Sequence, residues 1–274
     1  MCASDLSAYS DRAMDRATFL ANETGAAVDF LHVVDSKLLP EPHLSRAIAE
    51  AKRVLEKDVG EIGFDEKTNI AVRVESGEAV ETIIREAERR KANLILMGLS
   101  SDATLIGMFR GTTTDKVIRR GQCPVLVVKT RAKRPYMQIV VAVEHSETSR
   151  KALDFALHSF PRGVFTFVYV DEAAKMAEQI GSPASLEKRN EIQDMVTARC
   201  LAAKQGVPGQ ADGPQLVFGH GNARDVLQEY ILPISPDLVV LGTHTRTGAA
   251  RMFLGSVAER MLEVLPNDIL IVRT

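Results

Sequence analysis

Gly77, Gly98, Ser101 and Gly111 recur at one constant spacing as Gly221, Gly242, Thr245 and Gly255. Residues that turn the chain, repeated in step over its whole length, require two copies of one structural plan. Each copy must then bury a core of its own, and 274 residues suffice for two domains of ordinary size. The expected boundaries are a first unit over 1–130 and a second over 136–274, joined by the polar, basic stretch Lys129 to Pro135. Such a stretch reads as a solvated linker.

Within each copy short apolar runs alternate with helical spacing. In the first, helices are expected from Asp11 to Thr24, Leu44 to Ile62, Ala79 to Arg90 and Thr112 to Arg120. Strands are expected at Val28 to Val34, Ile70 to Glu75, Leu94 to Met97 and Val125 to Val128. The second copy repeats the order, from Ile139 to Val143 through Leu238 to Leu241 to Ile269 to Val272. This βαβαβαβαβ alternation predicts an α/β fold with two doubly wound parallel five-stranded sheets, Rossmann- or flavodoxin-like, covered by helices on both faces. The second copy has seven residues, Met137 to Val143, before its first acid, Glu144, whereas the first has four before Asp5. A shortened central strand is therefore expected in the first unit, either because the true start lies upstream or because the unit is clipped at this strand.

Composition removes several classes of function. The 34 basic and 36 acidic residues nearly cancel, so no basic field argues for nucleic acid. The apolar runs are strand-sized and none is long enough for a membrane helix. Cys2, Cys123 and Cys200 are odd in number and far apart, which suits a reducing cytoplasm and no disulfide framework. No Walker-type lysine motif, HExxH or GxSxG occurs. Gly219-His220-Gly221 fails as a dinucleotide fingerprint because Arg224 stands where a third glycine belongs. No nucleophile has an evident base partner, so catalysis is not the leading reading.

In open parallel sheets ligands lie beyond the carboxyl ends of the strands, where strand order reverses. Leu238 to Leu241 ends in Gly242-Thr243-His244-Thr245, and Gly255-Ser256 then opens a helix. Backbone N–H groups at a helix start lack intrahelical partners and suit an anion such as phosphate. His145, His220 and His244 each follow a strand of the second copy. Three imidazoles would suffice for zinc, although separate loop histidines are the favoured reading and zinc is not expected.

The acidic-x-Ser pattern at Asp5-Leu6-Ser7 and Glu144-His145-Ser146, with a serine three residues further on at Ser10 and Ser149, resembles that of universal stress proteins. So does Cys123-Pro124-Val125-Leu126-Val127-Val128, and the likeness is to the tandem type, over essentially the whole chain. Nucleotide-binding members of that family carry G-x-x-G, nine residues, then G-[ST]. Here the pattern is Gly242, Thr245, Gly255-Ser256 and, in the first copy, Gly98, Ser101, Gly111-Thr112. The resemblance implies a cytoplasmic stress-response protein that binds ATP, AMP or ADP, with Mg²⁺ as companion, mainly in the second unit. There the phosphate loop would comprise Gly242, Thr245, Gly255, Ser256 and Val257. Val143, Glu144 and Leu241 would line the site and Val170 would meet adenine. The corresponding positions in the first unit are Asp5, Gly98, Ser101, Gly111 and Thr112. Thr245 and Ser101 replace a glycine, adding a Cβ where backbone should approach phosphate. Glu144 replaces the usual Asp, moving its carboxylate outward by roughly 1.5 Å. The resemblance further implies an internal pseudo-dimer through the last strands, and a homodimer. Alternative readings are a scaffold acting through protein partners without nucleotide, and a slow nucleotide hydrolase or zinc site.

Overall fold

The computed structural model describes residues 1–37, 39–99, 109–172, 182–203, 214–243 and 254–273. The chain divides into two compact units, Met1–Pro135 and Tyr136–Thr274. In the first, the strands are β1 (Cys2–Ser4), β2 (Val28–Val34), β3 (Ile70–Ser76), β4 (Ile95–Gly98) and β5 (Val125–Val128). The helices are α1 (Ala8–Thr24), α2 (His43–Gly60), α3 (Ala79–Arg89) and α4 (Thr113–Arg120). The strands pair in parallel in the order β3-β2-β1-β4-β5. Order therefore reverses at β1, which pairs with β2 on one side and β4 on the other. β1 is short: Cys2 pairs with Phe30 and Leu96, and Ser4 with His32.

The strands are apolar at successive positions because both faces of the sheet are covered. All four residues of β5 are buried, as are Ile95, Leu96 and Met97 of β4. α1 lays Ala13, Met14, Ala17, Leu20 and Ala21 against the sheet, a stripe at helical spacing. It begins at Ala8, three residues before the expected Asp11, since the N-cap is Ser7. α3 buries Val80, Ile83 and Ala87, and its start is capped by the Glu78 carboxylate, which accepts the Glu81 N–H.

The segment after β5 corrects the expectation of a solvated linker. Arg12 donates to the Lys129 carbonyl (2.7 Å) and Arg16 to that of Arg134 (2.8 Å), while Arg131 stands 3.9 Å from Asp15. Its basic side chains are largely in solvent, but its backbone is strapped to α1.

The second unit repeats the plan with β6 (Gln138–Val143), β7 (Val164–Asp171), β8 (Gln215–His220), β9 (Leu238–Thr243) and β10 (Asp268–Arg273). Its helices are α5 (Glu147–Ser159), α6 (Pro183–Ala202), α7 (Ala223–Ile234) and α8 (Ser256–Val264). The parallel order is β10-β9-β6-β7-β8, with the reversal at β6. The core holds Phe160, Phe165 and Phe167 with Ala152, Leu153 and Ala156 of α5. Each such aromatic or leucine contributes about 1.5–3 kcal/mol by leaving water. Tyr136 packs edge-on to Phe160 and donates a 2.6 Å hydrogen bond to the fully buried Asp268. Its hydroxyl thus meets a carboxylate that would otherwise be costly to bury. α6 starts at Pro183, where Ser182 caps it and proline suits a first turn. Among the described residues no helix is long and apolar enough to cross a membrane.

Candidate functional site

Both sheets open a cleft at the place their topology dictates, beyond the carboxyl ends of the two central strands. In the second unit the cavity measures about 150 Å³ and is walled by Val143 and Glu144 after β6, Val170 of β7 and Leu241 and Gly242 of β9. Val257 and Ala258 of α8 and Ala223 and Leu227 of α7 close it. The structure thus brings together six of the residues expected there, and Gly255 and Ser256 lead directly into Val257. Thr245 and His244 lie outside the described residues.

The first unit has the same cleft, of about 140 Å³. Ser4 pairs with His32 as Val143 pairs with Tyr169. Through that register Ser4, Asp5 and Val33 occupy the places of Val143, Glu144 and Val170. Ala79, Ile83, Met97 and Gly98 take those of Ala223, Leu227, Leu241 and Gly242. Thr113 and Thr114 stand for Val257 and Ala258, so the first cleft carries more hydroxyls. Of the residues expected in this unit, Asp5 and Gly98 line the cavity, Gly111 and Thr112 lie at the adjoining start of α4, and Ser101 is outside the described residues.

The glycines serve two different purposes. Gly98 and Gly242 allow helix to approach strand: a Cβ on Gly242 would lie 3.1 Å from the Thr148 carbonyl and the Ser149 nitrogen of α5. Gly111 and Gly255 have φ of 85° and 84°, a conformation that side chains with a Cβ rarely adopt, and both turn the chain into the following helix.

The acids after the central strands are tied into local turns. Asp5 accepts from the Ser7 N–H (3.1 Å) and hydroxyl (2.6 Å), and Glu144 accepts from the Ser146 hydroxyl (2.8 Å). The Ser149 hydroxyl accepts the Glu144 N–H at 2.9 Å. Ser10 holds the equivalent place but pairs with Ser4, because Val143 offers no hydroxyl to Ser149. Ser10 and Ser149 are site residues recognised in the sequence only as part of a pattern. Ala79 and Ala223 went unassigned, although the recurring Gly77 and Gly221 just before them mark the turns that bring them in.

The two helix starts differ. At α4, Thr112 is the N-cap: its hydroxyl donates to the Phe109 carbonyl and accepts the Asp115 N–H. The Asp115 carboxylate in turn accepts the Gly111 N–H at 2.9 Å. At α8 the N-cap is Gly255, which has no side chain to offer, and the Ser256 hydroxyl is exposed and unengaged. The Thr243 hydroxyl at the end of β9, the strand that gives Leu241 and Gly242 to the cleft wall, is buried without a hydrogen-bond partner. A helix start without a side-chain cap, with an unengaged hydroxyl at its first residue, fits an anionic group.

Of the three histidines, His145 and His220 lie within the described residues. The His145 ring stands 3.3 Å from a Glu191 carboxylate oxygen and edge-on to Tyr169. His220 ends β8, beside Asp171 of β7. Among the described residues no group of three His, Cys, Asp or Glu side chains is arranged to hold a metal ion. Burial, reinforced by Asp171, Glu191 and Glu144, raises the Tyr169 phenol above its usual range. Three carboxylates thus act on Tyr169, and one of them, Asp171, has the Lys188 ammonium 3.8 Å away.

The profile described as the universal stress protein family matches residues 1–129 and again 135–273. A universal stress protein of Methanocaldococcus jannaschii is 30% identical over 136 residues, covering 47% of this chain and 80% of that protein. One of Mycobacterium bovis is 25% identical over 218 residues, 77% of this chain and 72% of its own. The solved structure of a universal stress protein from Archaeoglobus fulgidus matches with a TM-score of 0.74 at 15% identity, over 99% of this chain and 96% of that one, which supports the fold. With its profile matched twice and both copies folded to the same plan, the chain belongs to the universal stress protein family.

Proposed function

We propose that this protein binds an adenine nucleotide, ATP or its di- or monophosphate, in the cleft of the second unit, and that occupancy of this cleft serves a stress-response role. The observation that carries the reading is the open start of α8, which leads into the cleft residues Val257 and Ala258 and carries the unengaged Ser256 hydroxyl. Val143, Val170 and Leu241 give the apolar walls a purine ring needs, and the acid Glu144 stands at the rim. Phosphate would take Ser256 and the N–H groups at the start of α8. With the Glu144 carboxylate at the rim, the nucleotide is expected with Mg²⁺.

Calorimetric titration of the full chain with ATP and Mg²⁺ tests this. One nucleotide per chain is expected, and Ser256→Ala should weaken binding about tenfold, the value of one hydrogen bond to a charged group. At 100 times the dissociation constant, ATP should stabilise its unit by about 2.7 kcal/mol. Absence of binding at millimolar nucleotide would refute the reading and leave a scaffold working through protein partners.

A further inference from the structure

Besides Glu144, the cleft of the second unit carries a further carboxylate for which the first cleft has no counterpart. Glu172, the residue after β7, lines the cavity together with Ala223 and Leu227 of α7. One oxygen of its carboxylate accepts the Ala223 N–H at 3.0 Å, which ties it to the cleft wall, and the other has no partner among the described residues. Asn222 already caps this helix by accepting the Arg224 N–H at 3.0 Å, so Glu172 reaches across from the sheet in addition to the cap.

By register the corresponding residue of the first unit is Asp35, two positions beyond Val33 as Glu172 is beyond Val170. Asp35 is absent from the lining of the first cleft. It accepts the Lys37 N–H (2.8 Å) within its own turn, and α3 is capped by Glu78. The shared fold therefore does not require an acid on the cleft wall at this point.

The order of the strands decides which part of a nucleotide would meet Glu172. Leu241 and Gly242 of β9 and Val257 of α8 form one side of the cleft, and β6 separates β9 from β7 in the sheet. Neighbouring strands lie about 4.8 Å apart. A ligand with its phosphate at the start of α8 and its sugar over the end of β6, beside Glu144, thus extends its base towards β7. There Val170 offers an apolar surface and Glu172 a carboxylate, which when ionised is an acceptor only. An acceptor matches a base edge that presents N–H donors, as the 6-amino group of adenine does.

We infer that Glu172 is a specificity-determining residue of the second cleft: its second carboxylate oxygen accepts a hydrogen bond from the 6-amino group and so selects adenine nucleotides over analogues that lack this group. The inference rests on the nucleotide reading of that cleft.

The test titrates the full chain, with Mg²⁺ present, with ATP and with purine riboside 5′-triphosphate, which differs from ATP only in having hydrogen in place of the 6-amino group. The parent is expected to bind ATP about tenfold more tightly, the value of one hydrogen bond to a charged group. Glu172→Gln keeps an oxygen for the Ala223 N–H but faces the ligand with an amide donor, and Glu172→Ala removes the acceptor. In both variants ATP should fall to the affinity of the analogue, while the analogue binds as before. A merely structural Glu172 would weaken both ligands alike, and that result overturns the inference, as does an unchanged preference for ATP in either variant. A parent that binds ATP and the analogue equally overturns it whether or not the variants fold, and leaves the nucleotide reading standing. A parent that binds neither at millimolar concentration refutes the nucleotide reading and the inference with it.

Discussion

Gly98 faces the backbone of Tyr9 so closely that a Cβ placed on it would lie 2.7 Å from the Tyr9 carbonyl carbon, and nearer still to its oxygen. The corresponding Cβ on Gly242 would meet α5 at 3.1 Å. Backbone on one side and a strand on the other leave Gly98 nothing flexible to push aside. Gly98→Ala should therefore cost about 3 kcal/mol and Gly242→Ala about 1 kcal/mol, within the usual range for overpacking. Urea unfolding of the two variants checks the order, and equal losses would contradict it.

A second cavity of the first unit, about 550 Å³, lies away from the strand ends, between α1 and α2, and is lined by Asp11, Asp15, Asp58 and Glu61 with Arg131 of the strap. Burial first, then Asp58, Asp15 and Asp5, raise the Asp11 carboxyl, with Arg131 opposing. A carboxyl whose folded pKa is raised favours the folded state below its unfolded pKa. That advantage is lost as pH rises through the folded value. Asp11→Asn should then raise the melting temperature at pH 7 and lose that gain as the pH falls towards 4. A gain that persists at pH 4 would assign the effect to packing.

The strap predicts a protease result. Removing the guanidinium that Arg12 gives to the Lys129 carbonyl should free the segment's backbone. Limited trypsin digestion after Lys129, Arg131 or Lys133 is expected to be about tenfold faster in Arg12→Ala, the loss of one charge-assisted hydrogen bond. Unchanged cleavage would mean that Arg16 alone holds it.

Burial pushes the Cys2 thiol up to about 12, and those of Cys123 and Cys200 up to about 11. The folded chain should react slowly with Ellman's reagent at pH 8, and all three thiols should react at once in guanidinium, since the thiolate is the nucleophile. By linkage, the contribution of these thiols to stability is complete below about pH 9. It is lost as the pH rises from there towards 11 and 12, because the unfolded chain releases their protons first.

Tyr136→Phe removes a donor to the buried Asp268 carboxylate. A loss of about 2 kcal/mol is expected in equilibrium unfolding, the cost of shorting a buried charged acceptor.

Much of this molecule was readable from local pattern. The repeated glycines Gly77, Gly98 and Gly111 with Gly221, Gly242 and Gly255 revealed the duplication, and apolar runs such as Val125 to Val128 the covered parallel strands. From those two facts the cleft at the strand ends follows, with Val143, Glu144, Val170 and Leu241 on its walls, because topology places ligands where strand order reverses. Helix ends were less readable. α1 begins at Ala8 and not at the expected Asp11, with Ser7 at its N-cap, and periodicity does not register a cap. The strap is not legible in local pattern because its partners, Arg12 and Arg16, lie more than a hundred positions away in the chain.

By itself, then, the sequence determined the duplication, the parallel α/β plan and the position of the clefts, since these depend on residue type repeated at fixed spacing. Only the tertiary structure decided what each conserved-spacing residue does there. Gly98 and Gly242 serve the approach of a helix, whereas Gly111 and Gly255 serve a turn. Asp115 closes one helix start and Ser256 is left open at the other, although Gly111-Thr112 and Gly255-Ser256 are alike. The reason is physical: spacing fixes where a residue falls in the fold, but which groups it then touches, as Asp115 touches the Gly111 N–H and Arg119, is decided only once the helix and its surroundings are folded.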